Sequence, residues 1–141
     1  MIAPMSKITF AAQVEKLADI EQFVDACAER FLLDAKKTFG LHVAVEEVFV
    51  NICNYAYPDE EGEVSMSAGI EDDAFVLEIS DHGIPFNILL LPEPETSLNI
   101  EDRTIGGLGG YFIRRLTDNV SYRREDGKNI LKLVMQRTLF Y

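Results

Sequence analysis

Apolar residues recur at helical spacing through Leu17, Ile20, Phe23 or Val24, Cys27 and Phe31, which predicts a helix from Val14 to Leu33. The pattern breaks near Gly40. A second stripe follows, Leu41, Val45, Val48, Phe49, Ile52 and Tyr55, and predicts a second helix that buries those side chains. Elsewhere the period is two. Ser6 to Ala11 alternates with Ile8 and Phe10 on one face, and Val64 to Ile70 and Phe75 to Ile79 alternate on either side of Glu71-Asp72-Asp73, as a hairpin does. Pro58 to Gly62 reads as a turn. Leu108 to Leu116 is helical again, and Val120 to Arg124 and Ile130 to Val134 are strands joined at Asp126-Gly127. The sum is an α+β fold: about five strands in one mostly antiparallel sheet, with about three helices on one face. Turns this short join antiparallel neighbours, because parallel strands need long crossovers.

Between Ile84 and Ile105 the periodicity lapses into a run of more than twenty residues punctuated by Pro85, Pro92 and Pro94. A loop of that length inside a compact domain is usually functional or mobile. The 141 residues are read as one domain, 1–141, large enough to bury a core. Thirteen basic side chains against 24 acidic ones give a net charge of −11. Such a surface repels phosphate backbones, so direct nucleic-acid binding is not expected. Met1 to Lys7 lacks the pattern of a leader, and the apolar run at Ile88 to Leu91 is too short for a bilayer, so a cytoplasmic protein without a membrane role is expected. Cys27 and Cys53 read as reduced core thiols, with no third or fourth ligand at metal-binding spacing. His42 and His82 are isolated.

Three stretches carry candidate chemistry. Glu47 and Asn51 are i, i+4 neighbours on the second helix. A carboxamide oxygen is a hard, neutral ligand suited to Mg²⁺, and a carboxylate one turn away can accept a proton. Glu46 points about 100° away and is the weaker candidate for the base. The plain alternative is a solvated polar face. Asp81 ends the second hairpin strand and can accept from the exocyclic amino group of adenine. Gly83 permits close approach, and Pro85-Phe86 stiffens the exit. The same composition also makes an ordinary Asp-x-Gly turn. Gly106, Gly107, Gly109 and Gly110 run into a helix whose first turn presents unpaired N–H groups, a phosphate cradle or a hinge with tight packing. The cluster is neither a Walker loop nor a dinucleotide fingerprint.

Glu46-Glu47-(x3)-Asn51-(x3)-Tyr55-Ala56-Tyr57, Asp81-x-Gly83-x-Pro85-Phe86 and Gly107-Leu108-Gly109, in that order, resemble the three boxes of the GHKL ATPase superfamily. Within it the chain most resembles the small anti-sigma factor serine/threonine-protein kinases of bacterial partner switching, over nearly its whole length. The resemblance implies a two-layer Bergerat α/β sandwich that binds ATP and Mg²⁺. It implies Asn51 as the Mg²⁺ ligand, Glu47 as catalytic base and Asp81 as adenine reader, with Gly83, Gly107 and Gly109 lining the nucleotide. Residues 84–105 become the ATP lid, and Arg103, the lid's only cation, the candidate for the γ-phosphate. Where the family usually carries a Gly-Thr pair beside adenine, this chain has Gly127-Lys128-Asn129, and Asn129 is the substitute, since its amide both donates and accepts. The partners implied are a sigma factor or another regulator and an anti-anti-sigma protein of STAS type phosphorylated on serine; a homodimer is among the assemblies implied. From another class comes the alternative of a nucleotide-sensing binding module with vestigial catalysis, and the bland third is a structural domain with coincidental glycines.

Overall fold

The computed structural model describes residues 6–90 and 109–137. In chain order the elements are β1 (Ser6–Ala11), α1 (Leu17–Arg30), α2 (Ala35–Asn51), a π-helical turn (Ile52–Ala56), β2 (Glu63–Glu71), β3 (Ala74–Asp81), α3 (Gly109–Leu116), β4 (Asn119–Glu125) and β5 (Lys128–Gln136). The five strands form one sheet in the order β1-β2-β3-β5-β4, antiparallel at every pairing. The fold is therefore the α+β sandwich expected. Among the described residues no helix is long and apolar enough to cross a membrane.

Two turns explain how short hairpins hold this sheet together. Asp72 and Asp73 between β2 and β3, and Asp126 and Gly127 between β4 and β5, all have positive φ. Two consecutive left-handed residues make the mirror-image turn whose twist matches that of the flanking strands.

The helix boundary differs from the expected one. The break falls at Leu32–Asp34, not at Gly40. Leu32 is left-handed at φ 61, and Leu33 N–H reaches back to Ala28 C=O at 3.0 Å, which closes α1. Asp34 then caps α2, its Oδ1 accepting from Lys37 N at 2.8 Å. Gly40 lies buried inside α2, where a Cβ would stand 3.1 Å from Leu116 O; it is small because α3 packs there. Tyr55 also departs from expectation, being 51% exposed. The wider π turn after Asn51 adds a residue to the helical path and shifts the phase, so Ala56 is buried in its place.

Ile20, Leu41, Phe49, Met66, Phe75 and Leu77 are among the side chains sealed in the core, each contributing roughly 1.5–3 kcal/mol of burial. Strand register aligns this face in rows. Ala68, Leu77 and Leu133 form one and Met66, Ile79 and Leu131 the next, all within the cluster that packs on the helices. The following row reads Phe10, Val64, Asp81, Asn129, Arg124 across all five strands. Apolar packing gives way to polar side chains on β3, β5 and β4 at that row. The opposite face is mixed, with Val76 beside Val134 and with Glu78–Arg123 and Glu71–Lys132 pairs at 3.0 Å.

Candidate functional site

A cleft opens where that polar row meets the end of α2. Val48, Asn51 and Ile52 line it from the helix side, Ile79, Asp81, Asn129 and Leu131 from the sheet, with Ala56, Phe86, Ile88 and Tyr122 completing the wall. Its walls are mostly apolar, with Asp81, Asn51 and Asn129 as buried polar groups. That is the usual make-up of a small-molecule site.

On the sheet side every position is fixed by hydrogen bonds. Asp81 Oδ1 accepts from Gly83 N at 2.8 Å and from Asn129 Nδ2 at 2.9 Å. Asn129 Nδ2 also donates to Ile84 O at 2.8 Å, and its Oδ1 accepts from Tyr122 OH at 2.6 Å and Phe86 N at 3.1 Å. Arg124 adds a bond to Gly83 O at 2.9 Å. Gly83 itself is pressed against the π turn: a Cβ there would lie 2.4 Å from Ala56 O, and Ile84 N donates to that same oxygen at 2.9 Å. The close approach Gly83 permits within the protein is thus to Ala56. Tyr57 ties the same corner, its OH donating to Glu63 O at 2.7 Å and accepting from His82 N at 2.8 Å.

The helix side is built differently. Asn51 Nδ2 donates to Glu47 O at 2.7 Å, one turn back, and its Oδ1 is buried and accepts no hydrogen bond from a described residue. Glu47 Oε2 is buried, and no described residue donates to it. Burial pushes the Glu47 carboxyl above the usual carboxylate range. Glu46, as its helical phase implied, faces elsewhere: a hydrogen bond shared with the Glu21 carboxyl on α1, which favours the protonated form of Glu46, then burial and the Glu21 charge, raise it. Cys27 and Cys53 are both pushed up to about 11 chiefly by burial, which disfavours the thiolate.

The structure thus gathers Asn51, Asp81 and Asn129 around one cleft, with Gly83 bonded to Asp81 and packed on Ala56, and Glu47 a turn behind Asn51. Gly109 opens α3. Arg103 and Gly107 lie outside the described residues, as does the expected lid beyond Leu90. Sequence reasoning missed Tyr122 and Arg124. The signal was available: Val120, Tyr122 and Arg124 alternate on β4, so the period that buries Val120 also aims Tyr122 and Arg124 at the cleft side.

A two-layer sandwich of this topology, with a cleft between the second helix and the polar end of the sheet, defines a class. The chain belongs to the histidine kinase-like ATPase domain family, whose profile matches residues 10–135. Among similar proteins, the Serine-protein kinase RsbW of Bacillus mycoides (strain KBAB4) is 25% identical over 124 residues, covering 85% of this chain and 78% of that protein. The protein of the same name from Bacillus cereus (strain AH187) is 26% identical over the same length and coverage.

Proposed function

We propose that this chain is an ATP- and Mg²⁺-dependent serine/threonine-protein kinase acting as an anti-sigma regulatory factor, which holds a sigma factor and phosphorylates a serine on an anti-anti-sigma partner of STAS type. One observation carries this reading: Asp81, buried at the polar end of an apolar cleft, has Oδ1 occupied by protein donors while no described residue donates to Oδ2. A flat apolar ring bearing an amino group suits that arrangement. Val48, Ile52, Ile79 and Leu131 supply its faces, and Oδ2 accepts from the amino group. The kinship with proteins named serine-protein kinases supports the choice of ATP and of a serine acceptor.

The residues present fit Mg²⁺. The ion commonly takes one or two protein ligands and leans on phosphates and water for the rest. Asn51 on the cleft wall would hold it, and the buried Glu47 Oε2 one turn away, to which no described residue donates, is a site where positive charge is favourable. When bound, the ion neutralises charge on the transferring phosphoryl group. Glu47 accepts the proton of the incoming serine hydroxyl, and burial makes it a stronger base than a solvated glutamate. Gly107 and Gly109 as phosphate cradle, Arg103 as γ-phosphate cation, and residues 84–105 as lid of a single domain belong to the same proposal.

The departure at Asn129, whose amide is engaged within the protein, favours a second reading, a nucleotide-sensing module with vestigial catalysis. Incubating the chain with γ-labelled ATP, Mg²⁺ and a serine-bearing partner separates the two. Transfer of label supports the kinase. Nucleotide-dependent partner exchange without transfer supports the module. No binding of ATP or ADP at about millimolar concentration in calorimetry overturns both.

A further inference from the structure

Asn129 has no hydrogen-bonding capacity left over. A carboxamide offers two donors and two lone pairs. Phe86 N–H can only donate and Ile84 C=O can only accept, so these two backbone groups fix which end of the amide is which. In that orientation the second N–H of Nδ2 meets Asp81 Oδ1 at 2.9 Å, and Oδ1 of the amide takes the Tyr122 hydroxyl at 2.6 Å. Asp81 Oδ1 already receives Gly83 N–H at 2.8 Å. The carboxylate is therefore held from one side by two donors.

We propose that Asn129 is a positioning residue for base selection: it turns Asp81 so that Oδ2 is the acceptor offered to the cleft, and gives no atom of its own to the base. This rests on the reading of the cleft as a nucleotide site. A locked acceptor matches a 6-amino purine and sets acceptor against acceptor for a 6-oxo purine, a mismatch that a buried polar site penalises heavily. Without the clamp the carboxylate can turn and take up water, and its preference relaxes. Threonine at position 129 would not restore it. One hydroxyl donates a single proton and cannot serve Asp81 Oδ1 and Ile84 O together.

The test is calorimetric titration of ADP and IDP into the wild-type chain, Asn129→Ala and Asn129→Thr. Wild type is expected to prefer ADP by on the order of a hundredfold or more. Both variants are expected to lose roughly tenfold or more in ADP affinity, with a smaller ADP-to-IDP ratio. Parallel weakening of both nucleotides at an unchanged ratio would mean a packing role only and overturns the inference. So does an Asn129→Thr variant with wild-type affinity and ratio, which would mean that residue 129 meets the base through a polar atom. Should both variants fail to fold, Tyr122→Phe removes one of the four bonds and is expected to shrink the ratio a few-fold, an unchanged ratio counting against the clamp. In the nucleotide-free wild type the Phe86 amide should exchange slowly with solvent; exchange at the rate of an open loop overturns the clamp outright. A wild type that binds no ADP overturns the reading of the cleft and this inference together, whereas binding with selectivity untouched by the variants overturns the inference alone.

Discussion

The two sides of the cleft obey opposite rules. On the sheet side, the amide of Asn129 satisfies both of its donors and both of its lone pairs within the protein, and Gly83 is pinned from Ala56, Asp81 and Arg124. On the helix side, a turn behind Asn51, Glu47 Oε2 is buried and accepts from no described residue. A fully satisfied buried network rigidifies its surroundings. A buried carboxylate oxygen with no donor costs free energy, and native structures keep such groups mainly where something else must come to them. In the proposed reading, the difference separates a wall that gives the cleft its shape from the group assigned as its base. It also predicts that substitutions on the two sides will fail in different ways.

The largest separation is expected at Glu47. Glu47→Ala should lower phosphoryl transfer to the partner by roughly 100- to 10,000-fold while leaving ADP affinity nearly intact, since a general base acts on the acceptor hydroxyl and not on the bound nucleotide. Single-turnover transfer and ADP calorimetry on the same preparation read the two quantities. Transfer at the wild-type rate would move the base elsewhere, with Glu46 next to be tested.

Gly83→Ala breaks the other side. Its Cβ would lie 2.4 Å from Ala56 O and 2.5 Å from Ala56 Cβ, neither of which is the tip of a flexible side chain. Either the π turn or the segment carrying Ile84 must shift, at a cost of about 2 kcal/mol or more in stability, with loss of nucleotide affinity alongside. Urea unfolding checks the first and calorimetry the second. Wild-type stability would mean that the corner is loose and that the contrast between the two sides is overstated. Gly40→Ala is the milder comparison: its Cβ would meet Leu116 O at 3.1 Å, a smaller crowding than at Gly83 and one opposed by a gained helix propensity of about 1 kcal/mol, so it should cost less than Gly83→Ala.

How much of this was legible beforehand follows the same division. Hairpins and helix stripes announce themselves through local periodicity, so the five strands and their antiparallel pairing were readable, as were the i, i+4 pair Glu47 and Asn51 and the carboxylate Asp81. What failed depended on a conformation that no side chain advertises. Leu32, 65% exposed and left-handed, ends α1 where a glycine would have flagged it, and Gly40 suggested a break that its packing on α3 forbids. The π turn shifted Tyr55 out of phase with the stripe before it. Asn129 was placed near Asp81 by motif, but its full engagement depends on the register that sets Asp81 opposite Asn129 and Asn129 opposite Arg124. Long-range pairing of that kind is set by the whole sheet and not by any one segment.

The smallest effect concerns what the buried carboxylate costs when nothing is bound. Burial holds the folded-state carboxyl of Glu47 above its ordinary value of 4.5. The folded chain then binds that proton more tightly than the unfolded chain does, so the associated stability is fully present below the ordinary value and is lost as pH rises through the raised one. Methionine has a similar helix propensity, fits a half-buried position and has no such proton. Glu47→Met should therefore match wild type at the acid end and become more stable as pH rises, levelling off above the raised value. Glu46, raised mainly by its hydrogen bond with Glu21 and by burial, contributes a slope of the same sign to both proteins; the Glu47 charge is the last of its causes, and removing it shifts the difference in the same direction. Urea midpoints for the two chains, compared between about pH 4 and pH 8, give the curve. A difference independent of pH would mean that Glu47 finds a donor in solution, and the asymmetry between the two sides of the cleft would vanish with it.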